Sequence, residues 1–339
     1  MTITTPEWER ATAALRGDPM VVACHMDPDA DTLGSGLALA EALRRARRAS
    51  PQVVVGSPDG EAARLPRRLG QLPGAAQVAD PASLRVPATL VVVDCSGPDR
   101  LGGLSWLVDQ AAQVIWIDHH RDGGAPGDVR LVDPEAAATA ELVAELVRRM
   151  GVRLDGAVAT NLYAGLVTDT GRFGHGSTTP AALELGAELV AAGVDVVGLT
   201  RLLFAEQRFA ELRLLGAVLA EARLDPRGLV WSVVDEAQLD EAGLAFGETD
   251  GLVDHLRTVS EAECALLLKR RRSGELKGSL RSISGVEVRS MAAALGGGGH
   301  DQAAGFSVTA DLDDVVERIA QAVAAARAPV PEAAPAARR

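Results

Sequence analysis

The sequence predicts an α/β protein of two domains, an N-terminal parallel sheet followed by a smaller mixed α/β unit, with a cleft between them. Four short, nearly all-apolar runs, Met20–Cys24, Gln52–Gly56, Thr89–Val93 and Gln113–Ile117, are separated by crossover-length stretches. That is the pattern of parallel strands buried on both faces. Beyond residue 224 the pattern changes to strand-like runs interleaved with short helical ones. With 339 residues, 47% of them hydrophobic, the chain can build two cores.

The elements follow in order. After Met20–Cys24, the acidic stretch His25-Met26-Asp27-Pro28-Asp29-Ala30-Asp31 reads as a loop. Thr32 to Gly36 leads from it into a helix over Leu37–Arg45, whose leucines recur at helical spacing and whose far end is basic. Ala136–Met150, Asp155–Thr168 and Pro180–Ala192 read as helices, and Val196–Arg223 as one long helix or a broken pair. Strands are expected at Leu229–Val234, Cys264–Lys269, Leu276–Arg281 and Gly305–Thr309, with helices at Gly251–Val259, Val288–Leu295 and Asp311–Ala325. The first domain then spans 1–195, a helical connector 196–223 and the second domain 224–327. The Pro/Ala-rich residues 328–339 form a disordered tail that cannot pack.

Composition narrows the function. A net charge of −12 argues against clamping long duplex nucleic acid, while short or small anionic substrates stay open where metals supply positive charge. Aromatics are only 3%, so stacking on bases can draw on few rings. Cys24, Cys95 and Cys264 each lie in or beside an apolar run and match neither a zinc knuckle nor a disulfide framework, so buried reduced thiols in a cytoplasmic protein are expected. No apolar run reaches membrane-spanning length and the N-terminus lacks a signal-peptide pattern, so no membrane association is expected.

The chemistry concentrates at strand ends. Ligands of parallel sheets bind off the carboxyl ends of the strands. There Cys24 runs into His25, Val93 into Asp94, and Ile117 into Asp118-His119-His120, while the helix ending at Thr168 runs into Asp169. His25, Asp29, Asp31, Asp94, His119 and Asp169 thus form a set of two imidazoles and four carboxylates. Taken singly, each has a structural reading: Asp29 and Asp31 as helix caps, Asp94 as a turn former, Asp169 as a helix terminator. Together, at the ligand-binding edge, they fit two divalent ions sharing a carboxylate, manganese first and magnesium as the alternative, and the natural chemistry is phosphoester hydrolysis. Asp27, His175 and His255 are set aside. A second signal is Gly296-Gly297-Gly298-Gly299-His300 between a helix and a strand, where backbone amides can face an anion. Arg281 offers a planar fork for a phosphate nearby.

These motifs together, His25-x-x-Pro28-Asp29-x-Asp31, Asp94, Asp118-His119-His120, Asp169-Thr170-Gly171 and the Gly296–His300 element, resemble the DHH phosphoesterases over residues 15 to 325. The likeness is to the RecJ-related subgroup that degrades nanoRNA oligonucleotides and dephosphorylates 3′-phosphoadenosine 5′-phosphate, some members of which cleave cyclic or linear dinucleotides. It implies a DHH catalytic domain followed by a DHH-associated substrate-binding domain. It also implies one ion on His25 and Asp29, a second on Asp31, His119 and Asp169, and Asp94 between them. By the same likeness His120 serves as acid or charge stabiliser, Asp118 orients the site, and Arg281, Gly297, Gly298 and His300 hold the terminal phosphate or nucleotide. The expected partners are short RNA oligonucleotides or small nucleotides, and a homodimer is left open. Two departures stand out: Gly123 replaces an asparagine, and Asp301-Gln302 replaces a basic residue. The alternative of another class is a nucleotide-binding sensor without turnover, against which the complete ligand set argues.

Overall fold

The computed structural model describes residues 3–16, 18–120, 126–244, 246–249 and 251–326. Gly123 and the tail 328–339 lie outside the described residues. The chain divides into two compact units between Glu206 and Gln207, within the stretch expected to connect the domains.

The first unit runs α1 (Thr5–Ala14), β1 (Met20–Cys24), α2 (Ala30–Arg45), β2 (Gln52–Val55), β3 (Thr89–Val93), α3 (Trp106–Gln110), β4 (Gln113–Asp118) and β5 (Val129–Val132). It continues with α4 (Thr139–Arg149), α5 (Gly156–Asp169), α6 (Pro180–Ala191) and α7 (Val196–Thr200). Its sheet is wholly parallel in the order β2-β1-β3-β4-β5, as the all-apolar strands require. Alternate residues feed two cores. Val22, Val91, Val93, Ile115 and Ile117 share one with residues of α2, α4 and α5, whereas Val21, Leu90, Val92 and Trp116 pack on Leu101, Leu104 and Leu107. Each fully buried leucine contributes about 2 kcal/mol relative to exposure.

Helix α2 departs from expectation, since it starts at Ala30 rather than Leu37. The Asp29 side chain caps it by accepting from the amides of Asp31 and Thr32, both at 3.0 Å. The two glycines that read as a lead-in are helical, each at a propensity cost of about 1 kcal/mol. At Gly34 the cost is offset by packing, because a Cβ there would collide with the Asn161 carbonyl of α5. Other differences have local causes. Helix α1 escapes the pattern because its apolar face is only Trp8 and Ala11, and β5 because Arg130 interrupts a four-residue run. The stretch 196–223 is a broken pair: α7, a widened turn over Arg201–Ala205, then a separate helix, α8 (Phe209–Ala220).

From α8 the second unit continues with β6 (Arg223–Leu224), β7 (Leu229–Asp235), α9 (Glu236–Ala242), α10 (Leu252–Leu256), β8 (Cys264–Arg270) and β9 (Glu275–Ser282). It ends with α11 (Val288–Ala293), β10 (Gly298–Gly299), β11 (Ala303–Thr309) and α12 (Leu312–Ala326). Its sheet order is β10-β11-β9-β8-β7-β6, mixed as expected: β7 and β8 are parallel and every other pair is antiparallel. Among the described residues no helix is long and apolar enough to cross a membrane.

Candidate metal centre

The order β2-β1-β3-β4-β5 has a topological switch point between β1 and β3, where the chain winds away in opposite directions and leaves a crevice at the strand ends. His25 follows β1 and Asp94 follows β3, so both flank that crevice. Asp94 adopts φ +60°, a left-handed conformation uncommon outside glycine and found at functional turns.

The six expected ligands come together around the Asp94 carboxylate. One of its oxygens, Oδ2, lies 3.5 Å from His25 Nε2, and the other, Oδ1, lies 3.5 Å from His119 Nε2. Asp29 Oδ2 is 3.8 Å from His25 Nε2, and Asp169 Oδ2 is 3.3 Å from His119 Nε2. Asp29 fills two roles: Oδ1 caps α2 while Oδ2 faces the histidine. Ligand atoms of His25, Asp29 and Asp94 cluster within 4.8 Å of one another, as do those of Asp31, His119 and Asp169, and those of Asp94, His119 and His120. Asp27 is exposed at φ +54° and joins none of these groups.

Each imidazole is aimed by its other nitrogen. His25 Nδ1 lies 2.8 Å from the Met26 carbonyl and His119 Nδ1 3.3 Å from the Ala136 carbonyl, turning both Nε2 atoms toward the carboxylates. His120 is held differently, with Nδ1 2.6 Å from Asp118 Oδ1, which also accepts the His119 amide at 2.9 Å. Asp118 is fully buried, and its Oδ2 has no hydrogen-bond partner among the described residues. His175, set aside on sequence, bonds through Nδ1 to the Asp169 carbonyl at 3.2 Å and so supports the loop from behind.

Several supporting residues were not evident from sequence. Asp31, fully buried, accepts the amides of Thr139 at 2.7 Å and Ala140 at 3.0 Å, which places its charge on the first turn of α4, and Ser35 Oγ also reaches it at 3.2 Å. The Thr139 hydroxyl donates to Asp94 Oδ1 at 2.9 Å. Arg100 Nη2 stands 3.4 Å from His25 Nδ1. A hydroxyl or an amide carries no sequence signal for such a role. Removing the hydroxyl, Thr139→Val, is expected to weaken manganese binding about ten-fold, as loss of an outer contact to a ligand typically does, read by calorimetric titration. An unchanged affinity would mean that the hydroxyl does not hold Asp94 in place.

The electrostatics show what the site requires. Burial works to raise the Asp94 pKa, but His25, His119 and His120 hold it well below the usual carboxylate range. Burial, with Asp94 and Asp169 nearby, drives Asp31 well above its ordinary value, and burial beside Asp29 and Asp94 lifts Asp169 to about 6. Burial opposes charge on His25 as well, yet the hydrogen bond to Asp94 and the charges of Asp29 and Asp94 push it up to about 9. Among the described residues, the cationic partners within ion-pair distance of Asp94 and Asp169 are histidines alone. Mostly buried carboxylates that repel one another, set beside imidazoles and without thiolate, fit hard divalent cations.

In the second unit, strand register gathers the residues expected to meet substrate. Gly298 pairs with Gly305, His300 exchanges backbone hydrogen bonds with Ala303 at 2.8 and 3.2 Å, and Ala303 lies opposite Arg281. His300, in the turn after β10, Ala303 of β11 and Arg281 of β9 therefore stand in a row, a backbone span of about 10 Å. Arg281 Nε is 3.4 Å from Asp254 Oδ1. Gly297 packs flat on β11, where a Cβ would lie 2.6 Å from Phe306 Cβ. Asp301, the acidic departure, is exposed.

Comparisons with known proteins bear on this geometry. Residues 19–166 match the model of the DHH family, N-terminal domain, and residues 229–326 that of the DHHA1 domain. The bifunctional oligoribonuclease and PAP phosphatase NrnA of Thermus thermophilus is 37% identical over 308 residues, covering 90% of this chain and 89% of that protein. Its namesake in Bacillus subtilis is 26% identical over 294 residues, covering 86% and 90%. The crystal structure of an exopolyphosphatase-related protein from Bacteroides fragilis shares the fold, with a TM-score of 0.86 at 24% identity over 95% of this chain and 96% of that one. With both domain models matched in order and a relative aligned over nine-tenths of each chain, the protein belongs to the DHH family of phosphoesterases.

Proposed function

We propose that this protein hydrolyses short oligoribonucleotides and the 3′-phosphate of 3′-phosphoadenosine 5′-phosphate, using two divalent ions, with manganese preferred. The observation that carries the reading is the Asp94 carboxylate, whose two oxygens face Nε2 atoms of histidines delivered by two different strand ends. On this reading His25, Asp29 and Asp94 would hold one ion, and Asp31, His119 and Asp169, with Asp94, the other. Such ions supply Lewis acidity, lowering the pKa of water and neutralising phosphoryl charge. The substrates are those named for the relatives that align over most of this chain.

The chain's own residues do the rest. Asp118, bonded to Nδ1 of His120, fixes that ring so that its Nε2 is the nitrogen to hand a proton to the leaving oxygen or to stabilise phosphoryl charge. Arg281 and His300 bind the terminal phosphate or nucleotide; the amide of Gly297, expected to help, instead donates to the Ala292 carbonyl at 2.9 Å, and Gly298 is paired with Gly305 in the sheet. The fully buried Asp31, anchored on α4, keeps its side of the site rigid. A cytoplasmic place of action accompanies this reading, in keeping with three buried, unpaired cysteines.

The test is a rate panel over a linear dinucleotide, 3′-phosphoadenosine 5′-phosphate, a cyclic dinucleotide and a 24-nucleotide RNA, before and after chelation and with manganese returned. Release of mononucleotide or phosphate from the first two is expected, lost on chelation and restored by manganese, with the long RNA at least ten-fold slower. Saturable binding with every nucleotide recovered intact would replace the enzyme with a sensor.

A further inference from the structure

The first unit has a second concavity, chemically opposite to the metal centre. A cavity of about 680 Å3 is lined by Arg16, Arg45, Arg47, Arg48 and Arg153, with Asp155 as its acid. It gathers where α2 and α4 end and α5 begins. The other ends of these same helices carry Asp31, the Thr139 and Ala140 amides, and Asp169. With 16 residues at the helical rise, α2 alone separates the two places by about 24 Å.

The arginines are unequally neutralised. Asp155 takes Arg45 at 2.7 Å and Arg153 at 3.3 Å, and Glu41 takes Arg45 at 2.9 Å. Among the described residues no acid pairs with Arg16, Arg47 or Arg48, and Arg48 donates instead to the Thr12 carbonyl at 2.7 Å. Burial first, and the charge of Arg16 second, push the Arg48 guanidinium below its ordinary pKa. Arg47 sits at φ +52°, a backbone conformation in which arginine is uncommon. In a chain of net charge −12, three arginines with no paired acid among the described residues, lining one cavity, offer charge and hydrogen-bond donors to an anion with several acceptor oxygens.

We propose that this cavity binds a small anion carrying two or more phosphates, at a site separate from the reaction centre. Its volume suits a ligand of nucleotide size. No lining residue is aromatic, so the stacking that single-stranded RNA relies on is missing, whereas Met150 and Val152 offer apolar contact for a sugar or base edge.

Calorimetric titration of the full chain tests this, with magnesium in excess over inorganic tripolyphosphate, ADP or a 12-nucleotide RNA. Tripolyphosphate and ADP are expected to bind at micromolar concentration, and at least ten-fold more weakly to Arg16→Ser/Arg48→Ser and to Arg47→Gly. Dinucleotide turnover without added anion is expected to stay at the wild-type level in both. Glycine suits the left-handed backbone at 47, so Arg47→Gly reads the lost charge even where loss of the Thr12 contact unfolds the double variant. Equal affinity of the two anions assigns recognition to phosphate charge; tighter binding of ADP assigns it to a nucleotide. Superimposable isotherms for wild type and Arg47→Gly would overturn the site, and weakening of the RNA alone would reassign it to nucleic acid.

Discussion

Replacing Asp94 by asparagine is expected to slow manganese-supported hydrolysis of a dinucleotide at least a thousand-fold, a loss of about 4 kcal/mol of transition-state stabilisation. The carboxylate is 2% exposed and lies within 3.5 Å of two histidines, one through each oxygen, a position no other side chain shares among the described residues. Asparagine keeps the shape and can still accept the Thr139 hydroxyl, but it replaces one carboxylate oxygen with an amide nitrogen and removes the charge shared by both sides of the site. The change should therefore spare the fold and remove metal, with fewer than two ions per chain by elemental analysis. The comparison is Asp27→Asn two residues past His25, where the side chain is exposed, and turnover within two-fold of wild type is expected. Equal activity of the Asp94 variant and the wild type would end the two-ion mechanism.

Gly165→Ala is expected to cost about 3 kcal/mol of stability and to take activity down with it. Gly165 lies on α5 where α2, α4 and α5 converge. A Cβ there would collide with Asp31 Oδ1 and lie 3.0 Å from Asp31 Cα and 3.2 Å from Ala140 Cβ. None of these can yield easily, since Asp31 is fully buried and bound to the first amides of α4. Overpacking of this kind costs about 1–3 kcal/mol, or more when backbone must move. For a unit of this size that lowers the melting temperature by roughly 6–12 °C. Gly70→Ala, whose added Cβ would meet nothing, should leave it unchanged. A Gly165→Ala protein melting with the wild type would show that the helices slide apart freely, contrary to the packing described.

The reach of the sequence is clearest at the strand ends. His25, Asp94 and His119 could be gathered into one site because all-apolar strands imply a parallel sheet, and a parallel sheet presents its carboxyl ends along one edge; Asp169 joins them from the end of a helix. Periodicity and strand termini are local properties, and they determined the two-unit architecture, the strands β1 to β4 and the candidate ligands. Gly34 and Gly36 read as a lead-in rather than as helix for an equally local reason: glycine lowers helix propensity, and the use of Gly34 against α5 and of Gly36 against Cys24 shows only when those elements are in place.

Only the tertiary structure decided the rest. The order β2-β1-β3-β4-β5 brings Thr139 against Asp94 and the first turn of α4 against Asp31, across 45 and 108 residues of chain. It likewise collects Arg16, Arg48 and Arg153 into one cavity from three separate segments. Burial then turned ordinary aspartates and histidines into a strongly coupled set, because removing water makes each charge depend on its neighbours. A chain of letters carries the identity of those groups, whereas their electrostatics arise from distances of 3 to 4 Å that only the folded packing creates.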